Sequence, residues 1–379
     1  MTCSALPRAL LAALATLVAT VPLHAEATEN TSGFNFGLDY VADYFSNLDG
    51  GIDEGSDFIG LGNVMVDYQG STWSAHANVF LPHGTSFTGR HAGDFSVVSN
   101  IDTGNLDPRL AEFWLQREIG RTNVRFGMLA LDSEFWGSAG GAVFINSVFG
   151  APTIVSANLP NPTIFPTATL GIRGQWDVGP AALLRIALVD GDAGDPETAN
   201  RHGLDVTLRG DEGVFIAAEF EKDWTREGGM PAALRLGAFF HGGDFVAVAD
   251  GSAGDGTFGV YAVIDQPLGE RFGWFGRIGY TRKEFAIAPW SIEAGVHLAD
   301  WLGSGGTLGV GFAHVDLNDA GAATLGFTPS YESIIELTFE WPISEWFTLQ
   351  PDVQYILNTG GADAGGDTLV LGVRGKMSF

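Results

Sequence analysis

Ile335-Glu336-Leu337-Thr338-Phe339-Glu340-Trp341 alternates apolar and polar residues without a break. Period two is the mark of a β-strand whose two faces meet different surroundings. One face here is bulky and apolar; the other carries two carboxylates and a hydroxyl. The division recurs along the chain. Leu184, Ile186 and Leu188 alternate with Arg185 and Ala187, and Leu234, Leu236, Ala238 and Phe240 with Arg235, Gly237 and His241. At the end of the chain Leu369, Leu371, Val373, Met377 and Phe379 oppose Gly372, Arg374 and Lys376. A soluble sandwich also alternates. The strand-like runs here are about ten residues long, which matches the span of a tilted membrane strand. Trp73, Trp176, Trp274, Trp290, Trp341 and Trp346 all fall close to turns. Together these features predict an all-β protein: a transmembrane antiparallel β-barrel, apolar outside, polar inside and girdled by aromatics.

Composition agrees. Among 379 residues there are 53 glycines, 12% are aromatic and only 17% are charged, which suits a repetitive β-protein better than a helical enzyme. The formal net charge of −26 argues against nucleic acid as a partner. The single cysteine, Cys3, leaves no disulfide framework and no zinc–thiolate site. Residues 1–27 read as a secretory signal: Arg8, an uncharged apolar run from Leu10 to Val21, then Ala25 and Ala27. That run is short for a membrane-spanning helix, and no 18-residue apolar stretch follows it. The expected organisation is a signal at 1–27 and one barrel domain at 28–379.

Seventeen runs look like strands, whereas a single-chain bacterial barrel has an even number, with short turns at one end and long loops at the other. Counts from the two chain ends collide near residues 200–230. They agree once 201–209 is part of an external loop. Sixteen strands result: 34–45, 58–69, 72–81, 110–118, 121–130, 167–177, 180–190, 212–222, 231–241, 257–267, 272–282, 288–298, 306–315, 331–341, 345–357 and 368–379. Two connections are long, 82–109 and 132–166. The second holds Phe135, Trp136, Phe144, Ile145, Val148, Phe149 and Phe165, too apolar to stand in water. It is expected to fold inward and narrow the pore; an external cap or oligomer contact is the alternative.

Catalytic signatures are scarce. No G-x-S-x-G occurs, and the G-x-G-x-x-G at 254–259 precedes a strand rather than a helix. His83 and His91 fall in a long connection and read as solvated. The acidic groups Asp49, Asp53, Glu54, Asp57 and Asp190, Asp192, Asp195 do not match a calcium loop. They read as solvated external loops facing lipopolysaccharide. No cofactor, metal or enzymatic activity is expected. The alternation projects Arg125, Arg173, Arg185, Arg235, Arg277 and Arg374 into the lumen, with Glu112, Glu219, Glu293, Glu336, Glu340, Asp352, Gln116, Gln175 and Gln354, and Trp114 on the face of Glu112 and Gln116. These groups either brace the wall or meet a solute. Charged donors and acceptors beside an aromatic surface suit a sugar.

Several stretches resemble the carbohydrate-selective porin family of the OprB type: LAEFWLQ (110–116), RFGMLALDSE (125–134), FINSVFG (144–150), SANLP (156–160), VDGD (189–192), YAVIDQPL (261–268), QPDVQYIL (350–357) and VLGVRGKMSF (370–379). The resemblance implies a 16-stranded outer-membrane porin that passes small carbohydrates by diffusion through a charged and aromatic constriction. Carried onto this chain, the constriction candidates are Glu112, Trp114, Gln116, Arg125, Asp132, Glu134 and Asn146, with Arg173 and Arg185 from the inner-face alternation. The alternative is a weakly selective or cation-preferring general porin. An adhesin or barrel enzyme lacks its expected machinery. Phe379, the last apolar-face residue of the last strand, resembles the signal read by the barrel-assembly machinery. A monomer and a homotrimer are both compatible with the sequence.

Overall fold

The computed structural model describes residues 32–226, 228–321, 326–362 and 366–379, so the leader at 1–27 lies outside the described residues. Sixteen strands close into one antiparallel barrel in sequence order. They are β1 (Gly33–Asp49), β2 (Gly55–Gln69), β3 (Trp73–Gly84), β4 (Arg109–Ile119), β5 (Thr122–Leu129), β6 (Thr169–Gly179), β7 (Ala182–Asp190) and β8 (Val214–Asp223). The second half comprises β9 (Ala233–Val246), β10 (Ala253–Pro267), β11 (Phe272–Thr281), β12 (Trp290–Ala299), β13 (Thr307–Asp316), β14 (Tyr331–Pro342), β15 (Phe347–Leu357) and β16 (Thr368–Ser378). β16 pairs with β1, which leaves no sheet edge in the hydrocarbon. Closure runs to the last residue: Phe379 N–H donates to Leu38 O at 2.9 Å, and its exposed ring stacks on Trp346 at 6.2 Å.

The alternation sorts as lipid demands. Ile335, Leu337 and Trp341 are exposed on the outer wall, while Glu332, Glu336 and Thr338 of the same strand are buried inside. Each expected strand is present and 201–209 forms none. The main differences are at ends. β1, β2, β9 and β10 reach further toward the long loops than the apolar pattern does, because above the membrane a strand no longer needs an apolar outer face. Asp244 and Asp255 pair across β9 and β10 in that extension. His83 lies on β3 rather than in a loop and bonds the Tyr40 hydroxyl at 2.8 Å on the outer wall. His91 is buried, 3.1 Å from Asp57.

Two loops enter the barrel, one more than the sequence pattern predicts. Phe87, Ala92, Val98 and Ile101 of residues 85–108 share one buried cluster with Phe144, Ile145, Val148 and Phe149 of residues 130–168. A second cluster packs Leu131, Phe135, Trp136, Ile154 and Val155 against Ala187, Val189, Phe215, Phe239 and Val263 of the wall. Apolar surface that cannot face water is thus removed from it inside the pore.

Candidate constriction site

The sequence leaves open whether the lumen charges brace the wall or meet a solute. The structure shows two kinds of partner, unevenly spread round the barrel. On the side formed by β10–β14, with β16 and β1, the charges hold the loops. Glu336 accepts the N–H groups of Ile145 (2.6 Å) and Asn146 (3.0 Å). Glu332 accepts those of Phe95 and Ser96, both at 2.8 Å, and of Gly360 at 2.7 Å. Asp265 of β10 accepts Ser138 Oγ–H at 2.7 Å and Gly140 N–H at 2.9 Å. Arg277 donates to the carbonyls of Val148 (2.5 Å), Gly150 (2.6 Å) and Trp136 (3.1 Å) while paired with Glu293 at 2.9 Å. Arg374 grips Asp43 twice at 2.7 Å and reaches Ser99 Oγ at 3.2 Å. A loop buried in a pore has main-chain groups that water cannot reach, and the wall satisfies them.

Across β4–β10 the charges form a ladder, in which Glu219 also accepts Trp136 N–H of the inward loop at 2.8 Å. Arg125 of β5 and Arg173 of β6 stand directly opposite each other in the sheet, which alone would be repulsive. Glu134 of the inward loop separates them: it takes two bonds from Arg173 at 2.6 Å and lies 3.5 Å from Arg125. Gln116 Oε1 accepts from both arginines at 3.1 Å. Arg173 also donates to Asn123. Arg185 of β7 donates to Gln175 at 3.0 Å and pairs with Glu219 (3.3 Å) and Glu221 (2.7 Å) of β8. Arg235 of β9 continues the row, 3.2 Å from Glu221 and 2.9 Å from Asp265. The side chains of Arg125 and Arg235 keep 14% and 12% exposure, against 1% for Arg173 and 4% for Arg185, so these two side chains keep the most open surface of the four arginines.

Several expected contacts are corrected. Asn146 is fully buried; it donates to Gln354 at 2.9 Å and caps the turn at Val148 N–H, so it fastens the loop and cannot meet a solute. Glu112 accepts Ala130 N–H at 3.0 Å and holds the loop's first residue. Asp132 accepts Phe165 N–H at 2.9 Å, closing the base of the loop rather than converging on Arg125. Trp114 is no open sugar platform, because the Arg125 guanidinium lies 3.6 Å from its ring centroid and covers one face. Its neighbour His76 stacks at 5.3 Å. Arg173 and Arg185 sit in the ladder, buried together with their carboxylate partners. Arg235, which the alternation projects into the lumen, was not among the constriction candidates, and Glu221 and Asp265 were not named. The parity that placed Arg235 and Arg185 on one face was the available signal.

The two loop carboxylates differ in charge state. Burial pushes Asp132 up to about 6, against the opposing pull of the Phe165 N–H. Burial also acts to raise Glu134, but Arg125 and Arg173 outweigh it and hold that carboxyl below its ordinary value. Asp132→Asn keeps an acceptor for Phe165 and removes the charge. A folded pKa above the unfolded value means that the buried anion costs stability at neutral pH and alkaline pH. That cost shrinks as pH falls through about 6 and is gone below the unfolded value near 3.8. The variant is expected to unfold at a higher temperature than wild type at pH 8, with the gap closing by pH 4. Gel-shift melting of the barrel at several pH values measures this, and a pH-independent gap would place the effect elsewhere.

With a closed 16-stranded barrel narrowed by inward loops and an arginine–carboxylate row, the comparison with protein families is decisive. The model of the carbohydrate-selective porin, OprB family, matches residues 69–379. The chain belongs to that family. Its fold and family are those of a porin, and they imply an outer-membrane location. Porin B of Pseudomonas aeruginosa is 21% identical over an alignment covering 92% of this chain and 88% of that protein. The structure of Pseudomonas putida OprB at high pH superposes with a TM-score of 0.81 at 18% identity, covering 92% of this chain and 94% of that one. The outer-membrane channel DcaP of Acinetobacter baumannii superposes with a TM-score of 0.57 at 11% identity, covering 92% and 97%. At these identities the structural likeness speaks for the fold alone.

Proposed function

We propose that this porin passes small, neutral, monosaccharide-sized carbohydrates by passive diffusion, selecting them at the ladder between β4 and β10. The observation that carries this is charge balance. Four guanidiniums (Arg125, Arg173, Arg185, Arg235) are matched by four carboxylates (Glu134, Glu219, Glu221, Asp265). Paired within the row, these charges leave little net field, and the exposed surface that remains is mainly that of the arginine donors. A polyol exchanges its water for such groups, whereas a phosphate would need a basic excess. Arg125 and Arg235 are the donors within a solute's reach. The acidic net charge of −26 favours a second reading, a cation-preferring general porin without a sugar site. On either reading the long-loop rim faces lipopolysaccharide and the strand ending in Phe379 is offered to the barrel-assembly machinery.

Planar-bilayer conductance with a panel of sugars separates the two. One sugar class is expected to reduce ion current in a saturable way. Arg125→Ala and Arg235→Ala should each weaken that block about tenfold, the worth of one charge-assisted hydrogen bond, roughly 1.5–3 kcal/mol less what water restores. Both should raise cation preference. An ion current indifferent to every sugar would leave the general porin as the answer.

A further inference from the structure

The run 201–209 has a strand's alternation but forms no strand, and its apolar residues have no role in the pore. It belongs to residues 191–213, which connect β7 to β8. β5 ends at Leu129, where the chain turns inward, while β4 begins further up at Arg109. The upper end of β4 therefore loses its neighbour. The β7–β8 loop fills that slot: Leu110 N–H donates to His202 O at 2.9 Å, Arg201 pairs with Asp107 at 2.6 Å, and His202 Nδ1 lies 3.0 Å from Pro108 O. Gly203 meets the β4 backbone so closely that a Cβ would lie 2.1 Å from Leu110 O, and its φ is +68°. Only glycine permits this approach. A second tie runs to the inward loop, from Ala193 N–H to Asn161 O at 3.0 Å.

Beyond this clamp the chain presents Leu204, Val206 and Leu208, exposed by 66%, 55% and 66%. Their polar neighbours are engaged among themselves: Arg209 pairs with Asp205 at 3.0 Å and Glu212 at 2.6 Å, and Thr207 N–H donates to Asp205 at 2.9 Å. One side is thus satisfied and the other is bare hydrocarbon. Its level follows from the register. Leu110 lies opposite Val79 of β3, and β3 continues upward through two more outward positions, Leu81 and His83. The slot is therefore flanked by outer wall that is still apolar, since Val79, Leu81 and Phe113 are all exposed there.

We propose that Leu204, Val206 and Leu208 form a lip that seats in the acyl chains of the outer leaflet, continuing the lipid-facing wall where β5 has left it. An aliphatic face continuous with the membrane band fits lipid hydrocarbon, and its polar back remains in the headgroup layer.

The test uses a Cys3→Ser background with one cysteine at Val206→Cys or, as a control on the polar part of the same loop, at Glu197→Cys. Both carry a bimane label in phosphatidylcholine vesicles. Gel mobility of unboiled protein reports folding, and Leu204→Cys serves if the Val206 variant misfolds. Nitroxide-bearing lipids are expected to quench the Val206 label at least twofold more than the Glu197 label, with aqueous iodide giving the reverse order. Equal iodide quenching at the two sites, with no lipid quenching at Val206, would overturn the proposal. So would efficient Val206-to-Val206 crosslinking by a short bis-maleimide at high lipid-to-protein ratio, which would make the occupant a second copy of the chain.

Discussion

Arg277→Met is expected to open the pore. Arg277 supplies three bonds to the carbonyls of Trp136, Val148 and Gly150, and both it and Glu293 have no exposed side-chain surface. Methionine fills the volume but donates nothing. Three carbonyls lose their donor, and the two that are buried, of Trp136 and Val148, cost about 1–3 kcal/mol each. Glu293 is left as an unpaired buried charge, and breaking such a pair costs roughly 3–5 kcal/mol. The gel-shift midpoint should fall and single-channel conductance should rise severalfold, with sugar block lost because the loop that presents Glu134 has come free. The second variant separates the two effects. Arg277→Met with Glu293→Gln removes the stranded charge, so that part of the lost barrel stability should return while conductance stays high. If conductance also returns, the apolar clusters hold the loop alone and the carbonyl bonds are incidental.

How much of this was legible in the sequence follows from which solvent imposes the pattern. Lipid imposes one rule on every outward residue, so Leu184, Ile186 and Leu188 or Ile335, Leu337 and Trp341 announce their face locally. The sixteen strands could be read accordingly. Inside, the rule is pairwise and long-range. Glu336 reads as a lumen carboxylate, but its partners are the main chain of Ile145 and Asn146, about 190 residues earlier. Nothing near Glu336 says so. For the same reason Asn146 reads as a solute contact and proves to be a fastener. The inward course of 85–108 was hidden because its apolar residues are fewer and the wall positions they pack on, such as Phe45 against Phe87 at 5.6 Å, lie elsewhere in the chain. Glu134 was legible as a neighbour of Arg125 by chain connectivity, whereas Arg235 was legible as a lumen residue but its place in the row needed the whole run from β5 to β9.

The row also makes ion preference and sugar binding separable. Glu134→Gln should turn the pore toward anions. The amide keeps the shape of the carboxyl but leaves Arg125 and Arg173 with one negative charge fewer, so the balanced row gains a net +1. A unit charge about 5 Å from a passing ion, at an effective dielectric near 20, is worth roughly 3 kcal/mol. Salt and lumen water screen part of this, leaving a shift of about tenfold or more in cation-to-anion permeability. Arg125→Ala changes the balance in the opposite direction and should shift the ratio oppositely. The double variant Arg125→Ala/Glu134→Gln restores neutrality, so its reversal potential in a salt gradient should return close to wild type. Its sugar block should not return, because a donor open to the lumen is gone and the amide no longer braces Arg173. Ion preference follows the sum of the charges, whereas sugar block follows the presence of particular groups. If the double variant recovers both, the sugar is sensing only the field and the ladder is not its binding site. If Glu134→Gln leaves the ion preference unchanged, permeating ions do not pass within reach of Arg125, and the narrowest point lies elsewhere along the loop.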